Sequence, residues 1–251
     1  MLRVAQSLAL LAFFGAASAC AQEPPQATHS YQAFFRISYA DLDEWNRQYW
    51  EYSVPILSEM QEAGDIQGWS QWEHQTGGEY NIRFTVRTFD WAAIDTFWGE
   101  YLARVEAAVP AAEATPYVIQ AHYDEIWNIG EAHVPTGVQA THLYESTFRF
   151  NFGDEDEWNR MWTEVAGPIL EEAMVEGLLG GWVKLDHNTG GPHNSKIVYL
   201  FEDWDDIDDL FELLLGQMAE RYPDDAATMF ALFRAHDDVI WVPTPPSGDA
   251  P

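Results

Sequence analysis

The pentapeptide Asp43-Glu44-Trp45-Asn46-Arg47 recurs letter for letter as Asp156-Glu157-Trp158-Asn159-Arg160. A constant shift of 113 residues overlays residues 35–95 on residues 148–208 without a gap. About two positions in five are identical across that overlay. One inserted residue later, Ala121-His122 matches Ala235-His236, and Ile126-Trp127 matches Ile240-Trp241. The chain is an internal duplication. A period this long makes each copy a domain-sized unit rather than a solenoid repeat. Whatever fold one copy takes, the other should take too.

Each copy has the same order of predicted elements. Residues 34–39 alternate and are rich in aromatics, which predicts a strand. Asp41 with Glu44, and Asp154 with Glu157, read as capping boxes that open a helix. Trp45, Tyr49, Tyr52, Ile56 and Met60 recur at helical spacing and predict one buried stripe. Pro55 and Pro168 fall inside that pattern and predict a kink, and Gly64 and Gly177 predict the helix ends. Strands are predicted at 66–74 and 81–89, joined by the hairpin material Thr76-Gly77-Gly78, which recurs as Thr189-Gly190-Gly191. Asp90 and Asp203 read as caps of a second helix, at 91–106 in the first copy and 204–221 in the second. Short helical pieces at 116–121 and 224–235 lead into closing strands at 122–129 and 236–243.

The order strand, helix, strand, strand, helix, strand is the ferredoxin-like plan, α+β, with helices on one face of an antiparallel sheet. A single such sheet leaves its other face bare, and two copies can cover each other. In this the chain resembles the dimeric α/β-barrel superfamily, in which two ferredoxin-like units pair their sheets. Here the two βαββαβ repeats would form an intrachain pseudo-dimer. The resemblance implies a ligand space between sheet and helices. It also implies a range of roles: haem peroxidases, haem-degrading enzymes, cofactor-free monooxygenases and binding proteins. It carries no motif that names a cofactor or a reaction. The expected organisation is a signal peptide at 1–20, a linker at 21–30, the first repeat at 31–130, a linker at 131–141, the second repeat at 142–245 and a tail at 246–251.

The N-terminus reads as an export signal. Met1-Leu2-Arg3 is a short basic start, residues 8–17 are apolar, and Ala17-Ser18-Ala19 is a cleavage pattern. Cys20, the only cysteine, stands where a bacterial lipoprotein carries its lipid, although Ala17 departs from the usual aliphatic residue. Ordinary cleavage beside it is the other reading. The expected location is the periplasm or the outer membrane, with secretion as the alternative. A single cysteine leaves no intrachain disulfide. With 41 Asp and Glu against 12 Lys and Arg, the net charge is −29, which argues against nucleic acid or anionic membrane surfaces as partners. A monomer is expected, because the repeat pair supplies its own dimer.

Strand alternation sorts the few cations. Arg36, Arg83, Arg87, Arg149, Lys184 and Lys196 all fall on predicted strands, mostly opposite the aromatic face. Two arrangements satisfy that pattern. One is an ion-pair network inside the barrel, with Glu73 and Asp186 as the answering carboxylates. The other is a cavity for a polar or anionic small molecule lined by Arg36, Arg83, Arg149, Lys196, Trp69 and Trp182. Matched histidines end and open strands: His74 with His187, and His122 with His236. As acid–base groups they would support an enzyme of the barrel type, cofactor-free or haem-linked; as turn-bonded groups they would be structural. His122 with Asp124, and His236 with Asp238, share a strand face, which could orient an imidazole. No zinc spacing occurs, and no metal site is expected. The acidic run at 202–209 reads as a helix start rather than a calcium loop. A third role is an acidic interaction or scaffold protein.

Overall fold

The computed structural model describes residues 26–111 and 119–244. The expected leader, Cys20 and the first half of the following linker lie outside the described residues, as does the tail; the linker's last two residues, His29 and Ser30, open β1. Eight antiparallel strands close into one barrel. They are β1 (His29–Ile37), β2 (Gly68–Thr76), β3 (Ile82–Thr88), β4 (Ile119–His133), β5 (His142–Phe150), β6 (Gly181–Thr189), β7 (Ser195–Phe201) and β8 (Phe233–Pro243). Their order around the barrel is β1-β3-β2-β8-β5-β7-β6-β4. Each repeat therefore contributes a four-stranded ferredoxin-like sheet, and the seams between repeats are β2 with β8 and β4 with β6.

The seams explain one departure from expectation. Strand β4 runs on through Glu131, Ala132 and His133, which were expected in a linker. Its first part pairs with β1 and its last part with β6, so those residues are held by the second repeat's sheet. Residues 119–121, expected at the end of a short helix, belong to the same strand. The hairpin glycines lock the seams. Gly77 and Gly190 have φ of +85° and +83°, and a Cβ at either would collide with a backbone carbonyl of the other repeat, Asp238 for Gly77 and Asp124 for Gly190.

The first helical stretch comprises α1 (Leu42–Gln48), a π turn (Tyr49–Ser53) and α2 (Val54–Ala63). The second repeat has α4 (Glu155–Met161), a π turn (Trp162–Ala166) and α5 (Gly167–Glu176). The π turns are the kink the prolines predict. Pro55 and Pro168 have no N–H for the i−4 carbonyl, and their rings crowd it, so the preceding turn widens. Gly64 and Gly177 end these stretches in the left-handed conformation. The capping boxes do not form: neither Asp41 nor Asp154 caps through its side chain. Glu44 is bonded instead by Arg47 and Gln48, and Asp154 by Asn151. Helix α3 (Trp91–Ala108) is capped by Asp90, which accepts from the Ala93 N–H at 2.8 Å. Helix α6 (Asp206–Arg221) starts two residues later than its counterpart, and Asp203 instead bonds the Asp205 N–H. Helix α7 (Pro223–Leu232) follows in the second repeat.

Three apolar clusters result. One lies between sheet and helices in each repeat, and the third fills the barrel interior with Phe34, Trp127, Leu143, Leu185, Val198 and Trp241. No helix among the described residues is long and apolar enough to cross a membrane.

Candidate functional site

The barrel interior carries charge as well as aromatic rings. Arg83 is 3% exposed and Lys196 0%. Their partners are Glu125 and Glu145, each 3% exposed, and not Glu73 or Asp186. Lys196 Nζ lies 2.8 Å from Glu125 Oε2 and 3.0 Å from Glu145 Oε1, and it donates to Gln32 Oε1 at 2.7 Å. Arg83 Nε sits 3.0 Å from Glu145 Oε2. That contact is a close ion pair whose N–H is not aimed along it, so no hydrogen bond forms there. Trp127 Nε1 donates to Glu125, and the ring of Trp127 lies 4.8 Å from Lys196 Nζ. Arg83, Gln32 and Glu125 come from the first repeat, Glu145 and Lys196 from the second. The network crosses between the repeats and fixes how their sheets face each other.

This arrangement leaves Arg83 and Lys196 bound to protein carboxylates rather than to a ligand. The other expected pocket residues do not gather around them. Arg36 is on the surface with Glu79, 2.9 Å away. Arg149 is exposed at the end of β5. Trp182 is 0% exposed in the second repeat's helix-side core, stacked on His133. Trp69 faces the first repeat's helices. Lys184 pairs with Asp186, and Glu73 accepts from Asn46.

A cavity of about 490 Å³ lies elsewhere, between sheet and helices of the first repeat. That volume is within the usual range for small-molecule sites. Its wall is aromatic, with Trp45, Tyr49, Phe84, Trp98 and Tyr101 prominent. The π turn supplies Tyr49, Tyr52 and Ser53 to it. Tyr101 Oη donates to Ser53 Oγ at 2.8 Å, and Trp45 Nε1 donates to Gln71 Oε1 at 3.3 Å. The lining contains no Lys, Arg, Asp or Glu. Burial pushes the Tyr49 and Tyr101 phenols up from their ordinary range, so both stay neutral donors.

His122 is the titratable base in that wall. Its Nε2 lies 2.8 Å from Asp124 Oδ1, and its ring stacks on Phe35 at 4.6 Å between centroids. Tyr31, also in the wall, is pushed up by burial first and by its hydrogen bond to Asp124 second. Asp124 thus holds His122 at ion-pair distance and faces the Tyr31 phenol as well.

The second repeat keeps this arrangement and loses the cavity. His236 Nε2 lies 2.9 Å from Asp238 Oδ1 and stacks on Phe148, and Tyr144 bonds Asp238. At the matched positions, Gln48, Tyr49, Tyr52 and Ser53 give way to Met161, Trp162, Val165 and Ala166. All four replacements are buried in one packed cluster with Trp158, Leu214 and Met218.

No protein-family model matches the sequence, and no curated protein matches it. Solved structures do match. A candidate monooxygenase from Lactobacillus acidophilus superimposes with a TM-score of 0.58 at 8% identity, covering 88% of this chain and 95% of that one. A candidate monooxygenase from Fusobacterium nucleatum gives 0.57 at 9%, covering 87% and 94%. A haem-binding protein from Thermus thermophilus gives 0.53 at 10%, covering 87% and 92%. The chain has the dimeric α/β-barrel fold. At these identities the likeness is one of fold alone.

Within this dimeric α/β barrel the other matched histidine pair, His74 and His187, serves the turns. His74 bonds the Gly77 carbonyl, and His187 Nε2 lies 2.8 Å from the Gly190 carbonyl. Among the described residues, no three His, Cys, Asp or Glu side chains gather where they could hold a metal ion. Sequence reasoning assigned Trp45, Tyr49 and Tyr52 to a buried stripe and so missed them as cavity wall. The signal that could have found them is the comparison of copies, where Gln48, Tyr49 and Tyr52 become Met161, Trp162 and Val165.

Proposed function

We propose that this protein binds a neutral aromatic small molecule between the sheet and helices of its first repeat. The observation that carries this is the difference between copies. Two units of common origin share strands, π turns and the His–Asp pair, yet only the first keeps polar and tyrosine side chains around about 490 Å³ of open space. The fold does not require the cavity, since the second repeat packs the equivalent space. A wall without charge favours an uncharged ligand, because an ion there would lose hydration without gaining a partner. The expectation of a polar or anionic ligand in the barrel interior is replaced on this ground. The proposal keeps export, supported by the basic start, the apolar stretch and the cleavage pattern, with Cys20 as the point of lipid attachment.

A second reading is enzymatic, and the His122–Asp124 contact favours it. An imidazole held by a carboxylate in an aromatic wall can take a proton from a bound phenol or an activated C–H, and Asp124 then stabilises the imidazolium. Two of the structural neighbours are candidate monooxygenases, and a deprotonated aromatic is a substrate that reacts with oxygen. A haem does not fit the residues present: its two propionates would meet no Lys or Arg in this lining. The test is titration with 1-naphthol, followed by tryptophan fluorescence and oxygen uptake. Binding predicts saturable quenching, since Trp45 and Trp98 line the wall; its absence ends the binding proposal. Catalysis predicts oxygen consumption that falls by about 10²–10⁴-fold in His122→Ala with quenching retained. Quenching without uptake leaves a binding protein.

A further inference from the structure

Arg83 and Lys196, the cations buried in the barrel, each have a carboxylate within ion-pair distance. Arg87, on the same face of β3, has none among the described residues. Its side chain is exposed rather than buried, so the guanidinium meets solvent where the others meet a carboxylate. Arg87 lines a cleft of about 570 Å³ at one end of the barrel. The cleft opens where the β2–β8 ladder stops at Trp72 and Pro243, leaving the first residues of β2 paired only with β3.

The chemistry of this cleft is unlike the rest of the surface. The chain has 41 acidic residues, yet none lines it. Trp50, Trp69 and Trp72 supply broad apolar faces to the cleft that holds this single guanidinium. Gly68 makes room for that group: a Cβ there would stand 2.6 Å from Arg87 Nη2. The second repeat's counterpart of Arg87 is Leu200, which lines the same cleft. The duplication has thus left one cation where its symmetry would place either two or none. Flat apolar walls with one planar, two-pronged donor fit an aromatic ring bearing a carboxylate.

We propose that this cleft, which adjoins the first-repeat cavity at Tyr49 and Gln71, is a second binding site that takes a planar aromatic carboxylate with Arg87 as its anion-binding fork. The net charge of −29 does not prevent this. At about 0.15 M salt, charges more than roughly 8 Å away are largely screened, and the nearest lining groups are neutral.

The test compares 1-naphthoate with neutral 1-naphthamide by calorimetry. Three proteins are used: the wild type, Arg87→Leu, and the triple variant Val105→Met, Val109→Tyr and Ile119→Phe. The triple variant gives the first-repeat cavity the side chains found in the second repeat. The wild type should bind the acid at least tenfold more tightly than the amide, and Arg87→Leu should erase that preference. The triple variant should keep the preference while losing 1-naphthol. Equal affinity for acid and amide in the wild type overturns the proposal, as does a preference that survives Arg87→Leu. Loss of naphthoate in the triple variant would also overturn it, by placing the acid in the other cavity. Arg87→Gln, closer in shape, gives the same readout if the leucine variant does not fold. Failure of 1-naphthol to bind while naphthoate still does would sink only the first-repeat proposal.

Discussion

Glu145→Ala should lower the unfolding free energy by about 3–5 kcal/mol, because it strips the shared carboxylate from two buried cations. Arg83 would keep no carboxylate at ion-pair distance, and Lys196 would keep only Glu125. Both cations are 3% exposed or less, so water cannot replace what is lost. An exposed pair such as Arg36–Glu79 should give less than about 1 kcal/mol in the same measurement. The check is urea unfolding of each variant, with Lys196→Met added to complete a cycle. The two buried substitutions should couple by more than about 0.5 kcal/mol. A loss for Glu145→Ala no larger than the surface pair's would mean that the network does not hold the repeats together. The same carboxylate sets a pH dependence. Burial would raise it, but Lys196 and Arg83 outweigh burial and hold it below the usual range. A group depressed in the folded state adds stability above its unfolded value, near about 4.3 for glutamate. That stability should therefore be present at neutral pH and be lost as pH falls below about 4 toward the folded value.

The triple substitution Val105→Met, Val109→Tyr and Ile119→Phe should weaken 1-naphthol binding at least a hundredfold, about 2.7 kcal/mol. Each new side chain is the one the chain itself uses at the matching position of the second repeat, Met218, Tyr222 and Phe233. There these residues belong to, or pack against, a buried cluster with Trp158, Trp162 and Leu214. Apolar groups of that size placed in about 490 Å³ of wall-lined space remove the room a two-ring ligand needs. Stability should stay within about 3 kcal/mol of the wild type, since filling offsets any local overpacking. Binding and stability thus separate: Glu145→Ala acts on the fold and the triple variant on the site. A triple variant that binds 1-naphthol as tightly as the wild type would move the ligand out of this cavity.

The duplication made the architecture legible. Once the copies align, element order, helix-ending glycines and strand parity follow from local rules, and the eight-stranded barrel is their consequence. The ion network was only half legible. Parity placed Arg83 and Lys196 on the interior face, but Glu125 and Glu145 meet them across the interface between repeats, a pairing no local spacing encodes. Glu73 and Asp186 looked suitable because they match between copies; the pleat turns them toward the helices instead, with Lys184 beside Asp186. The cavity escaped for a different reason. Trp45, Tyr49 and Tyr52 have the spacing of a buried stripe, and a stripe lines a cavity or a core according to what packs opposite. Helical periodicity is the same in either case. The capping boxes failed because Arg47 is close enough to take the Glu44 carboxylate as an ion pair.

The most direct test of the central claim is a crystal structure of the protein soaked with 6-bromo-2-naphthol, with the bromine located by its anomalous signal. The proposal predicts a peak between the sheet and helices of the first repeat, within van der Waals contact of Trp98 or Tyr101, and none at the matching place beside Phe211 and Leu214. A peak in the second repeat or among Arg83, Glu145 and Lys196, or no peak in the first-repeat cavity at saturating ligand, would contradict it.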